Sequence, residues 1–227
     1  MRLLDRTLGV ALGVRARNLA VANGVVIALL GVLGILYIVL ESPFGLFDLD
    51  GERNVPSVYA ATLWFSVAVV ALLLGRVDTE PGLRRMWIGL SALYVFLSAD
   101  EFGQIHERLE RITGIDWQIL YLPIGVLASV LWLFVARRLS QIGTGFALLV
   151  GGSICIVISQ VVENIEYGSG DQRVAHFNAL VVLEELLELI GVLVVGLALL
   201  TALQALCRRA RVGSPPPRAA SQADLSA

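Results

Sequence analysis

MWIGLSALYVFLSADEFGQIHERLE, residues 86–110, joins an uncharged apolar run to a dense group of polar residues. The run over residues 86–97 is typical of a helix inside a lipid bilayer. Asp100, Glu101 and His106 follow it without a break. A charged side chain at the centre of a span costs ~2.5–3.5 kcal/mol, so such residues normally face a bundle interior or a wet cavity. The stretch therefore predicts a membrane helix that ends in a polar site.

The rest of the chain has the same apolar character. Hydrophobic residues make up 57% of the 227 residues, more than the roughly 45–50% of soluble domains. They form long blocks, which predict an all-α integral membrane protein with six transmembrane helices. The predicted spans cover residues 19–40, 58–74, 86–106, 119–136, 142–162 and 177–206. We expect an amphipathic cytoplasmic segment over residues 1–18 and a disordered cytoplasmic tail over residues 207–227.

The placement of arginine predicts the orientation of the bundle. Most of the 17 basic residues, all of them Arg, fall in the N-terminal segment, the tail and the loops 75–86 and 137–141. The positive-inside rule then puts both termini in the cytoplasm. The complete absence of Lys suggests the base composition of a GC-rich bacterium, so we expect a bacterial plasma membrane protein.

Acidic residues of three predicted helices lie at a similar depth in this topology. Counting ~1.5 Å per residue along each helix brings them all to the outer part of the membrane. Carboxylates with one or two His suit Fe, Mn or Zn, and facing helices of bundles hold metals through such side chains. The predicted ligands of a divalent metal ion are Asp100, Glu101, Glu163, Glu184, Glu185 and Glu188.

His106 and Glu107 are the candidate catalytic residues. On a straight helix Glu107 shares a face with Asp100, whereas His106 points away from it. His106 therefore joins the site only if Gly103 or the helix end lets the chain turn, and it would then act as a ligand or as the general base. His176, at the start of the last span, is the other candidate nitrogen ligand.

Three classes of function fit these features. A membrane metalloenzyme would activate water against a lipid or an exported substrate. A proton- or cation-coupled transporter would use the same acids, but their positions do not follow an inverted repeat. A structural or assembly protein would use them as a buried network that fixes helix packing.

The expected partners are the lipid bilayer and a lipid or small-molecule ligand; nothing in the sequence indicates nucleic-acid binding. Aromatic residues near the span ends, among them Trp64, Trp117 and Tyr121, are explained by an interfacial aromatic belt. The sequence leaves open the substrate, the identity of the metal, whether the protein is an enzyme, and its oligomeric state.

Overall fold

The structure, a computed structural model, describes residues 16–40, 45–51, 53–167 and 177–212. The predicted amphipathic segment up to residue 15, the tail beyond residue 212 and His176 lie outside these residues. The described residues form helices and connecting turns, without strands, which confirms the all-helical prediction for that part of the chain. The eight α-helices are α1 Ala16–Leu40, α2 Val55–Val77, α3 Pro81–Gly103, α4 Ile105–Thr113, α5 Trp117–Leu120, α6 Leu122–Leu139, α7 Gly143–Tyr167 and α8 Phe177–Val212.

Five of these helices are long and apolar enough to cross a membrane. They are α1, α2, α6, α7 and α8. The chain is thus a multi-pass helical membrane protein. α3 is 23 residues long but is not among the five found within the described residues, because Arg84, Arg85, Asp100 and Glu101 reduce its apolar character. The sixth span remains a prediction.

The 36-residue helix α8 lies at the centre of the fold. It packs against α1, α2 and α7, and its side chains Leu189, Val192, Leu199 and Leu203 are fully buried. α2 and α3 form a second close antiparallel pair, and α3 also packs on α6. The acids Asp100, Glu163 and Glu184 all lie toward one end of this bundle, which we call the acidic end.

Glycines allow the closest helix contacts. A Cβ atom added at Gly152 of α7 would lie 2.8 Å from the carbonyl oxygen of Gly191 in α8. Gly31 faces Leu186 and Gly196 faces Val67 in the same way, at 3.1 Å. The missing side chains at these positions therefore help α8 to pack closely against three neighbours.

Two serines of α3 fasten it to α2. Ser91 Oγ donates to the carbonyl of Ala68 at 2.9 Å, and Ser98 Oγ donates to the carbonyl of Ala61 at 2.8 Å. Hydrogen bonds of this kind satisfy polar side chains in an apolar surrounding. These serines therefore hold two helices together.

The helix predicted over residues 86–106 is interrupted close to its C-terminal end. α3 ends at Gly103, and Gln104 has a left-handed backbone with φ 54° before α4 begins at Ile105. A left-handed non-glycine residue interrupts the helix at a modest steric cost. Asp100 and Glu107 therefore do not share a helix face as predicted.

A buried carboxylate at the opposite end of the bundle was not predicted. The Asp78 side chain is 1% exposed and lies 3.5 Å from Arg138 at the end of α6. It also accepts a hydrogen bond from Trp87 Nε1 at 3.2 Å and one from the backbone N–H of Glu80 at 3.2 Å. Asp78 thus ties the α2–α3 connection to α6.

Candidate functional site

The centre of the candidate site is a two-point contact between Asp100 and His106. The backbone N–H of His106 donates to Asp100 Oδ1 at 2.9 Å, and His106 Nδ1 lies 3.1 Å from Asp100 Oδ2. The turn at Gln104 brings the two side chains together. His106 was expected to join the site only if the chain turned at Gly103 or at the helix end, and the turn occurs one residue after Gly103. With Nδ1 donating to the carboxylate, Nε2 carries the basic lone pair of the ring.

Aromatic side chains from α5 and its C-terminal end complete this centre. Tyr121 donates its hydroxyl hydrogen bond to Asp100 Oδ1 at 2.8 Å. Its ring and that of Trp117 lie 6.4 and 5.3 Å from the His106 ring. Burial, with the hydrogen bond to Asp100 adding to it, raises the pKa of the Tyr121 phenol. The phenol therefore stays protonated and acts as a donor.

Two further carboxylates approach the imidazole from α7 and α8. Glu163 accepts a hydrogen bond from Trp117 Nε1 at 3.2 Å, and the Trp64 indole of α2 lies within hydrogen-bonding reach of Glu188. Both carboxylates interact electrostatically with His106. We call Asp100, His106, Glu163 and Glu188 the histidine cluster.

The other predicted ligands form a second group next to it. Glu184 is 9% exposed, and Glu185 lies within electrostatic range of Glu184, Glu188, Glu101 and Asp50. We call Glu101, Glu184 and Glu185 the glutamate group. Glu188 joins the two groups because it lies one helical turn from Glu184 and Glu185 and also interacts with His106 and Asp100.

Glu107 lies apart from both groups. It pairs with Arg111 at 3.6 Å, one turn along α4, and both side chains are exposed. An exposed pair with this spacing stabilises a helix by only ~0.3–0.5 kcal/mol. Of the eight candidate residues that the structure describes, seven therefore lie in two adjoining groups, and Glu107 lies at the surface of α4.

Trp117, Tyr121 and Trp64 are the site residues that the sequence analysis missed. An interfacial belt accounted for all three without reference to the acids. Indole and phenol groups are, however, donors that bury well and find acceptors. The available signal was that these donors occur at the same predicted depth as the acidic residues.

The fold and the site together define a multi-pass helical membrane protein with an acidic, aromatic-lined cluster at one end of its bundle. The chain belongs to the family described as a domain of unknown function (DUF8692), whose model matches residues 18–203. That range includes both groups of acids. No curated protein and no solved structure matches the chain.

Proposed function

We propose that this protein carries a membrane-embedded acid–base site in which His106 takes up and releases a proton. The observation that supports this most directly is the two-point contact that fixes the imidazole on Asp100. A carboxylate in this position holds one tautomer of the ring and stabilises the imidazolium that forms on protonation.

The neighbouring groups suit that role. Tyr121 occupies one oxygen of Asp100, which favours the ionised carboxylate. Trp117 and Tyr121 pack on the imidazole and limit the access of water. Glu163 and Glu188 are proton donors and acceptors within electrostatic range of His106. Such a base would activate water against a lipid or an exported substrate.

Nitrogen NMR of His106 tests this proposal without a known substrate. The chain has only two His, so a His176→Gln background leaves a single labelled imidazole. We expect the neutral ring to carry its proton on Nδ1 and to take up a second proton reversibly as the pH is lowered. Asp100→Asn should move the proton to Nε2, because the Asn amide donates to Nδ1.

Glu110→Gln is the matched control, because Glu110 is an exposed acid on α4 and should leave the tautomer unchanged. A ring that stays neutral over the whole pH range would contradict the acid–base role and favour a purely structural network. An Nε2–H tautomer in the wild type would contradict the contact itself.

A divalent metal ion, Fe, Mn or Zn, is the second candidate. Metal-bound His residues almost always donate their other ring nitrogen to a carboxylate or carbonyl, as His106 does to Asp100. In the described part of the chain no three His, Cys, Asp or Glu side chains already stand where they could hold a metal. Glu163 and Glu188 would have to rotate toward His106, with the glutamate group as alternative ligands.

Metal content separates this candidate from the first. Protein purified in detergent without chelator or nickel resin is analysed by mass spectrometry, as wild type and as Glu188→Gln. A near-stoichiometric metal that the variant loses would establish a metal site. If the wild type contains no metal and His106 still takes up and releases a proton, the result would favour the acid–base site over the metal site.

We also propose that α3 is the sixth span, that both termini are cytoplasmic and that the protein lies in a bacterial plasma membrane. After Cys155 and Cys207 are replaced by Ser, single Cys residues are placed at two exposed positions, Ile112 on α4 and Ser140 after α6. We expect an impermeant maleimide to label Ile112→Cys in intact cells and Ser140→Cys only after lysis. The reverse pattern would invert the topology.

A further inference from the structure

A groove open to the outside of the bundle follows α2 from the acidic end, and its deeper part lies between α2 and α3. Its deeper part has a volume of about 430 Å³ and is lined by Ala61, Phe65, Val95 and Phe102, among others. Its upper part, of about 440 Å³, reaches Arg53 and Tyr59. The two parts have Val58 and Thr62 in common, so they adjoin each other along α2.

The groove is shallow and has a closed floor. The hydrogen bond from Ser98 to the Ala61 carbonyl holds the two helices together beneath it. Phe65 and Phe102, which are 53% and 62% exposed, form its walls. Small residues between two aromatic walls leave room for one extended hydrocarbon chain.

The length of the groove indicates what fills it. From Val55 to Phe65, α2 rises ~15 Å, which is half of the ~30 Å hydrocarbon core of a bilayer. An acyl chain occupies one leaflet and matches this length. A transmembrane helix of a second copy would contact the bundle over both leaflets.

Arg53 gives the mouth of the groove a positive charge. Its backbone is left-handed, with φ 59°, and such outliers cluster at ligand clamps. Among the described residues it makes no salt bridge. A guanidinium is well suited to bind phosphate. Asp48 and Asp50 lie in the same loop, so a headgroup that also carries an ammonium group fits better than a net anionic one.

We propose that this groove binds a zwitterionic glycerophospholipid of the phosphatidylethanolamine class, with its phosphate on Arg53 and one acyl chain between Phe65 and Phe102. The proposal does not depend on the acid–base site, since neither His106 nor the acids of the two groups line the groove.

Photolabelling in proteoliposomes tests it. The probes are phosphatidylethanolamine and diacylglycerol, each with a diazirine in one acyl chain, and labelled peptides are mapped by mass spectrometry. We expect the phospholipid to label α2 and α3. Thr62→Trp, which fills the groove, should lower this labelling about fivefold, equivalent to ~1 kcal/mol. Thr62→Leu is the smaller second variant if the tryptophan impairs folding.

Ser129→Trp on α6 is the matched control, because Ser129 is exposed and hydrogen-bonds to the carbonyl four residues earlier, as Thr62 does. It should leave labelling unchanged. Arg53→Ala should weaken labelling by the phospholipid and not by the diacylglycerol. Labelling spread evenly over the bundle, equal loss in Ser129→Trp, or no dependence on Arg53 would each overturn the proposal. So would disulfide-linked dimers of Thr62→Cys, which would show a second copy in the groove.

Discussion

Gly152→Ala is expected to destabilise the bundle by about 1–3 kcal/mol, the usual cost of overpacking a close contact. The new Cβ would lie 2.8 Å from the Gly191 carbonyl oxygen and 2.8 Å from the Val195 backbone nitrogen. Both are backbone atoms, so no side chain can rotate to make room. α7 would have to move away from α8, the helix pair with the most extensive contact in the described fold. Thermal unfolding in detergent, followed by tryptophan fluorescence, measures the loss.

The neighbouring glycine provides the control. A Cβ at Gly151 meets nothing within 4 Å, so Gly151→Ala should change stability in the opposite direction. Alanine is favoured over glycine in helices by roughly 0.8–1 kcal/mol. Equal unfolding temperatures for the two variants would contradict the close contact between α7 and α8.

This pair of glycines also shows how far the sequence could predict the fold. Long apolar runs predicted the helices, because a bilayer requires segments of that length. The adjacent glycines at 151 and 152 are visible in the sequence and are compatible with close helix packing. Which of the two glycines faces α8 depends on the rotation of α7 in the assembled bundle, and a single sequence does not contain that information.

The acidic residues of the candidate site could be predicted from the sequence, but their geometry could not. Charged residues in apolar helices have to meet, so Asp100, Glu163 and Glu188 could be grouped by depth. The turn that brings His106 to Asp100 occurs at Gln104, which is neither Gly nor Pro. Its left-handed backbone is compensated by hydrogen bonds from His106 to Asp100. The usual sequence signals of a helix end therefore do not predict this turn, because it is stabilised by contacts within the site.

Asp78 illustrates another case, a charged residue in a connection between helices whose burial was not predicted. We expect Asp78→Ala to destabilise the protein by about 3 kcal/mol, at the lower end of the range for breaking a buried ion pair, because Arg138 is 22% exposed. The substitution leaves the Arg138 guanidinium and the Trp87 indole N–H without their acceptor. Thermal unfolding in detergent again measures the loss.

Glu80→Ala is the control for Asp78. Glu80 is an exposed acid two residues along the same connection, and its side chain makes no capping hydrogen bond, so its loss should have little effect. Arg138→Ala should also be destabilising, since it leaves the Asp78 carboxylate buried with only neutral donors. The double variant should lose less than the sum of the two single losses, because residues in contact are coupled. Additive losses would mean that the Asp78–Arg138 pair does not hold the α2–α3 connection to α6.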